Sequence, residues 1–252
     1  MGEWQGRTAV ITGGARGFGA AFARALADEG AAIALVDVDG AAVAQAAKAL
    51  AADGHEAIGL VGDVTDEARM RTVLREAAAL RGGIDLLINN AGLHGQEFAQ
   101  SMGSLGVERI RRLIDVNVLG VVVCTLAAVD HMRGREGASI VNVASTAAYL
   151  GSRTTAYGVS KLAVGGLTLA FAGELGRDGI RANAIAPGMI FTDTIRDHLS
   201  PENKKLAKSM QVLDADGAES DVVEAMLYLA SRRARFVTGE ILRVTGGMGA
   251  GV

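Results

Sequence analysis

Tyr157 and Lys161 stand four residues apart in the stretch Tyr157-Gly158-Val159-Ser160-Lys161, inside a run that reads as helix. Residues at i and i+4 lie one above the other on one helix face. The spacing therefore brings an amine beside a phenol. A free tyrosine ionises at a pH of about 10, too high for a base at neutral pH. A nearby cation favours the phenolate and lowers that value. Tyr157, tuned by Lys161, is thus expected to pass a proton to or from a substrate oxygen. Taken alone, Tyr-x-x-x-Lys is common by chance and equally suits a half-exposed helix.

A second chemical stretch lies near the N-terminus. Residues 8–12 are β-rich, Gly13-Gly14-Ala15-Arg16-Gly17-Phe18-Gly19 follows, and a helical pattern runs to residue 29. A glycine turn between strand and helix lets backbone approach a pyrophosphate, and the helix N-terminus adds free N–H groups and a positive dipole end. The spacing, Gly13-x3-Gly17-x-Gly19, departs from the usual dinucleotide form, and a tight turn with no ligand also fits it. Residues 32–36 form the next strand, ending at Asp37. An acid there is placed to accept hydrogen bonds from an adenosine ribose and to repel a 2′-phosphate.

The elements that must position these groups alternate. Helical patterns at 41–52, 67–81, 104–133, 156–176 and 219–231 separate strand-like runs at 57–61, 86–89, 139–143, 180–185 and 240–244. Such alternation predicts an α/β fold with a parallel sheet and helices on both faces, ligands sitting at the carboxyl ends of the strands. Asn89-Asn90-Ala91-Gly92 ends the fourth strand, and Ser145 lies just past the fifth. Asn117 falls inside the 104–133 pattern, where asparagine is a poor helix residue; it either has a special partner or faces solvent. Pro187-Gly188 ends the sixth strand. Residues 189–216 are too long for a plain connection and suggest a substrate lid.

Composition narrows the field. The 252 residues are half hydrophobic and 4% aromatic, with a formal net charge of −3. Acids and bases are mixed, and no basic stripe suits nucleic acid. Cys124 is the one cysteine, which excludes an internal disulfide. His55, His94, His131 and His198 lack metal-ligand spacing, so no metal is expected. No run resembles the ~18 continuous apolar residues of a membrane span, and no signal peptide is evident. A cytoplasmic protein without membrane partners is the expectation. The absence of Gly-x-Ser-x-Gly argues against a hydrolase.

Taken in order, Thr12-Gly13-x3-Gly17-x-Gly19, Asp63-Val64, Asn89-Asn90-Ala91-Gly92, Asn117, Ser145, Tyr157-x3-Lys161 and Pro187-Gly188 with Thr192 resemble the short-chain dehydrogenase/reductase family over nearly the whole chain. The resemblance implies one domain over 1–252, a doubly wound Rossmann-type fold on a seven-stranded parallel sheet. It implies Tyr157 as acid/base and Lys161 as the residue that lowers its pKa and holds the nicotinamide ribose. Ser145 would bond the substrate oxygen, and Asn117 would bind a water continuing the proton path. Gly13, Gly17, Phe18 and Gly19 would cradle the cofactor, with Asp63 and Val64 at the adenine and Asn89, Ala91 and Gly92 near the adenosine side. Pro187, Gly188 and Ile190 would lie by the nicotinamide, with Thr192 on its carboxamide.

Cofactor choice pits Arg16, a position that often meets the 2′-phosphate of NADP in the family, against Asp37. The following Val38 offers no second base, so NAD is expected. The 145–157 segment looks a residue short for the family, and Thr245 stands where many members have an acid. His94, Gln96, Tyr149, Leu150, Met189 and Phe191 are candidate pocket residues, mostly apolar. They favour a hydrophobic or cyclic secondary alcohol or ketone, steroid-like ones included. Two alternatives are an NADPH-dependent 3-oxoacyl-acyl-carrier-protein reductase and a non-catalytic NAD-binding sensor. The family's usual homotetramer, built on the helices at 104–133 and 156–176, is expected here too.

Overall fold

A computed structural model of the chain describes residues 2–98, 100–150, 155–190 and 208–248. Its centre is a seven-stranded sheet: β1 Thr8–Thr12, β2 Ala32–Asp37, β3 Ala57–Val61, β4 Leu86–Asn89, β5 Ser139–Val143, β6 Arg181–Pro187 and β7 Ile241–Val244. The spatial order is β3-β2-β1-β4-β5-β6-β7, and every neighbouring pair is parallel. Side chains alternate across the sheet. Ala9, Ile11, Ile33 and Leu35 face one layer, and Val10, Ala34, Val36 and Leu87 the other.

Helices α1 Gly17–Asp28 and α2 Gly40–Ala52 cover the first face. Phe22 and Leu26 of α1, with Val43 and Leu50 of α2, fill it. On the second face lies α3 Glu67–Ala78, which buries Met70 and Leu74 there. Burying each such side chain contributes roughly 1.5–3 kcal/mol, which holds the strand ends in register. Asp39 and Asp66 start α2 and α3 by accepting the amides of Ala42 and Arg69, the usual N-cap bond.

The 104–133 pattern is not one helix. It comprises α4 Met102–Leu105, α5 Val107–Ile114, a π-helical turn Asp115–Leu119, and α6 Gly120–Met132. Gly106, at φ 77°, separates the first two, a conformation that needs glycine. Val107–Met132 is long and apolar enough by length and composition to cross a membrane, against expectation. In the fold α6 is a core helix, with Cys124, Ala128 and Met132 buried on the second face. Cys124 is a buried thiol whose pKa desolvation pushes up to about 12, which leaves it inert.

The second face is completed by α7 Thr155–Leu175, and the first by α8 Glu219–Ala230. β6 extends to Pro187, where the Gly188 amide donates to the Val244 carbonyl at 2.8 Å and closes the ladder. The opposite end of the sheet is held by Asp85. Its buried carboxylate receives the Thr8 amide at 2.8 Å and a two-pronged bond from Arg135 at 3.0 and 2.7 Å.

Candidate active site

β1 lies between β2 and β4, so the chain winds away from it in both directions. A crevice opens at such a switch point, beyond the carboxyl ends of the strands. Thr12, Asp37, Asn89, Val143 and Pro187 end the five strands that meet there.

The glycine turn is locked to the end of β4. The Thr12 hydroxyl accepts the amides of Asn90 and Ala91, each at 3.1 Å, and donates to the Ile88 carbonyl at 3.3 Å. Asn90 Nδ2 donates to the carbonyls of Thr12 and Gly13 at 3.0 and 2.9 Å. A Cβ on Gly19 would lie 2.1 Å from the Gly13 carbonyl oxygen, so only glycine lets α1 start this close to β1. Gly17 has φ +54°, and a Cβ there would meet nothing within 4 Å. Its backbone borders open space at the start of α1, whose N-cap residue Arg16 supplies no side-chain cap. Phe18 instead stacks on Phe22 with ring centres 5.9 Å apart, which leaves its backbone rather than its ring toward the crevice.

Asn89 corrects the sequence reading. Its side chain is buried and donates to Thr125 Oγ1 at 3.1 Å and Asn142 Oδ1 at 2.9 Å. Asn142 passes the chain on to Thr168 at 3.0 Å. Asn89 shares a strand face with Leu87, so period-two alternation sends it inward. The side chain that serves the glycine turn is Asn90.

At the end of β2, Asp37 accepts the Ala15 amide at 3.2 Å and the Asp39 amide at 3.1 Å, one on each oxygen. A carboxylate has room for more partners. Val38 is 68% exposed. Arg16 pairs with Asp39 at 2.6 Å. Asp63 accepts both the amide and the hydroxyl of Thr65, at 2.9 and 2.8 Å. Val64 is buried, and a Cβ on Gly120 would lie 2.7 Å from it. The Val64 side chain therefore packs on the start of α6, and only its backbone is left to meet an adenine.

Ser145, Tyr157 and Lys161 gather beyond β5. Ser145 starts a short 3-10 turn, Thr146–Tyr149, and its Oγ accepts the Ala147 amide at 3.2 Å. Tyr157, in the first turn of α7, has the Ser145 hydroxyl as a polar neighbour that draws its pKa down. Lys161 follows one turn later and is buried; its Nζ donates to the Val143 carbonyl at 2.7 Å. Desolvation lowers the Lys161 pKa to about 8. Desolvation raises that of Tyr157, with the Ser145 hydroxyl opposing it. The expected depression of Tyr157 by Lys161 is thus not what this geometry gives. Nζ lies 5.9 Å from the phenol ring centre, and desolvation is the largest influence on the phenol. His94 is held below its ordinary pKa by desolvation and then by the Lys161 charge.

Asn117 joins this group through the π turn, a feature that often marks functional positions. Its Oδ1 accepts the Leu93 amide at 2.7 Å, and its Nδ2 donates to the Leu93 carbonyl at 3.0 Å and to Ser160 Oγ at 3.1 Å. Ser160 Oγ donates in turn to the Tyr157 carbonyl at 2.7 Å. Both amide hydrogens of Asn117 are engaged, so a water held there would bond to one of its oxygens. Asn117 ties the loop after β4 to the catalytic helix. A Cβ on Gly92 would lie 3.3 Å from Asn117 Oδ1 and 3.5 Å from Lys161 Nζ, so Gly92 leaves room between them.

Thr146, missed by sequence reading, fixes the far wall: its hydroxyl is 3.0 Å from the Pro187 carbonyl and 3.4 Å from that of Ala186. Ile190 is buried and bridges to Gly217. Thr192, Phe191 and most of the 189–216 segment lie outside the described residues, as do 151–154 of the segment before Tyr157. Thr245 packs on Gly188, where a Cβ would come 2.9 Å from its Cα, and its hydroxyl accepts the Gly247 amide at 3.2 Å. Tyr149 carries the Arg243 guanidinium 5.5 Å above its ring centre.

Moving a hydride between a dinucleotide and an alcohol needs a phosphate cradle and a proton carrier in one crevice, and a glycine turn and a tyrosine–lysine pair stand at this sheet edge. The class is that of nicotinamide-dependent oxidoreductases. The sequence matches, over residues 13–249, a family model described as enoyl-(acyl carrier protein) reductase. It is 37% identical, over 98% of both chains, to cis-4-hydroxycyclohexanecarboxylate dehydrogenase of Sinomonas cyclohexanicum. It is 34% identical, over 95% of this chain and 96% of the other, to 3alpha-hydroxysteroid dehydrogenase of Mediterraneibacter gnavus. A crystal structure from Agrobacterium tumefaciens, provisionally described as a gluconate dehydrogenase, superposes with a TM-score of 0.90 at 32% identity, covering 99% of this chain and 98% of that one. The chain belongs to the short-chain dehydrogenase/reductase family, whose dehydrogenases use nicotinamide cofactors.

Proposed function

We propose that the protein is an NAD-dependent dehydrogenase/reductase that interconverts a secondary alcohol and a ketone, the substrate being apolar or cyclic. The observation that carries this reading is the buried Lys161, bonded to the Val143 carbonyl one turn from Tyr157, with Ser145 beside the phenol, at the edge where the glycine turn opens. The residues present fit a nicotinamide dinucleotide. Gly17 leaves backbone facing open space at a helix N-terminus, and Asp37 has lone pairs free for a ribose diol. Gly13, Gly19 and Ala91 would shape the pyrophosphate side, and Pro187, Gly188 and Ile190 the nicotinamide side.

When bound, the nicotinamide supplies the hydride acceptor or donor. In alcohol oxidation Tyr157 Oη takes the hydroxyl proton while Ser145 Oγ holds the same substrate oxygen. In ketone reduction Tyr157 gives the proton back. Lys161, partly deprotonated near pH 8, is able to relay that proton as well as to hold positive charge near the phenol. Its Val143 bond fixes where the charge sits. His94, Tyr149 and Met189 would line the substrate side. The ring-bearing alcohols named for two relatives support a cyclic substrate.

We also propose a homotetramer in the cytoplasm. Leu126 on α6 and Leu162 and Leu169 on α7 are exposed apolar residues, more than half accessible. An assembly of copies through these helices would cover such side chains.

A panel of cyclic secondary alcohols assayed with NAD, read by reduced-cofactor absorbance, tests the function. Turnover with at least one ring alcohol is expected; none across the panel would count against it. A relative 31% identical over 96% of this chain, a 3-oxoacyl-[acyl-carrier-protein] reductase of Staphylococcus aureus, favours one second reading, a reductase of 3-oxoacyl thioesters. Faster turnover of such a thioester with NADPH than of any alcohol with NAD would select it.

A further inference from the structure

Two acids follow β2, and they hold different partners. Asp37 receives the amides of Ala15 and Asp39. Asp39 uses Oδ1 to cap α2, accepting the Ala42 amide at 3.0 Å, and Oδ2 to hold Arg16 at 2.6 Å. Both the cap and the arginine keep the Asp39 carboxyl below its ordinary pKa, so it stays ionised at neutral pH. Beside this pair runs a groove of about 700 Å³ between α1 and α2, lined in part by Ala15, Arg16, Arg24, Asp39 and Ala46. Its two arginines are both answered by acids, Arg16 by Asp39 and Arg24 by Asp53 at 2.5 Å. The groove thus leaves space beside Arg16 and Asp39 for a group larger than a hydroxyl.

We propose that Asp39 is a second determinant of cofactor choice, which refuses the 2′-phosphate of NADP by engaging Arg16, the cation that would otherwise receive it. This rests on the reading above, in which the adenosine ribose of a nicotinamide dinucleotide lies at Asp37. A phosphate entering the groove at Arg16 meets the Asp39 carboxylate and an arginine already paired with it. Selection is then electrostatic, and it divides between a direct repeller, Asp37, and a residue that occupies the neighbouring cation. Asp39 does not touch NAD in this scheme, so its removal would relax discrimination without weakening the preferred cofactor.

Asp39→Asn is the informative variant. Asparagine still caps a helix, and only the charge is lost. Calorimetric titration with 5′-AMP and 2′,5′-ADP reads the site without catalysis. The variant should bind 2′,5′-ADP about fivefold more tightly, the scale of one exposed ion pair, and 5′-AMP within about twofold of the parent. The gain should vanish when Arg16→Ala is added, and it should shrink as salt rises. Equal tightening of both nucleotides, or a gain that survives the loss of Arg16, would overturn the proposal. The unmodified protein separates this from the underlying reading. If it binds 2′,5′-ADP as tightly as 5′-AMP, the NAD assignment falls and the part given to Asp39 falls with it. If it prefers 5′-AMP and Asp39→Asn changes nothing, the assignment of Asp39 alone falls.

Discussion

Lys161 Nζ donates to the Val143 carbonyl across 2.7 Å, which anchors the catalytic helix α7 to the last residue of β5. The bond holds a buried ammonium within one helical turn of Tyr157, where desolvation makes its charge costly. From this follows a pH signature. The folded-state pKa of about 8 lies below the ordinary 10.5. Between those two values the unfolded chain binds the proton that the folded chain has released, so stability rises with pH across that window. Below pH 8 the penalty of the buried charge is fully present. Lys161→Met lacks the group. The melting temperature of the parent should therefore gain on that of the variant between about pH 8 and 10.5. Parallel melting curves across that range would contradict the buried-charge description.

Activity should respond to the same substitution. Lys161→Met removes the charge nearest the phenol and leaves Tyr157 with its desolvation-raised pKa. Turnover should fall, and the residual alcohol oxidation should need higher pH than the parent requires. An unchanged pH–rate profile in a still active variant would argue against the pair.

Asn117 is engaged on both amide hydrogens, so its loss reaches two elements at once. Asn117→Ala frees the Leu93 backbone and leaves Ser160 short of a donor. Orphaned buried groups cost about 1–3 kcal/mol each. The variant should melt lower and turn over more slowly, with the Michaelis constant for alcohol rising as Tyr157 loses its support. A variant as stable and active as the parent would show the clamp to be dispensable.

How far all this was legible in the sequence differs by element. Strands made of Ala, Val, Ile and Leu runs between glycines announced the parallel sheet, since a buried strand needs apolar residues on both faces. The π turn at Asp115–Leu119 did not announce itself, because one widened turn hardly alters helical periodicity. Asn89 and Asn90 were separable in principle: alternation from Leu87 sends the first inward. The burial of Lys161 was not readable, because its acceptor lies 18 residues earlier and meets it only through the fold. The same holds for Arg16, whose partner Asp39 is 23 residues away.

Cofactor preference should follow the charges at the end of β2. NAD is expected over NADP by about tenfold or more in kcat/KM, since two unit charges about 4 Å apart repel by ~4 kcal/mol at an effective dielectric near 20. Asp37→Ala should narrow that gap, and Val38→Arg added to it should narrow it further, because Val38 is exposed and free to be replaced by a base. Equal use of NADP by the unmodified protein would overturn the assignment.

Assembly is testable through the exposed faces of α6 and α7. Leu126, Leu162 and Leu169 are 53%, 53% and 59% accessible in the single chain. Leu126→Glu with Leu169→Glu should split a tetramer into smaller species. Sedimentation of the parent as a 25.9 kDa monomer at micromolar concentration would refute the tetramer.

The central claim is that Tyr157 carries the proton. Tyr157→Phe keeps the ring and loses only the hydroxyl that meets Ser145. The direct test is the turnover of this variant on a ring alcohol, measured beside its affinity for NAD. Turnover should fall by about 10²-fold or more, the scale of lost general acid–base catalysis, while NAD still binds within about twofold of the parent. Turnover within a few fold of the parent would contradict the account.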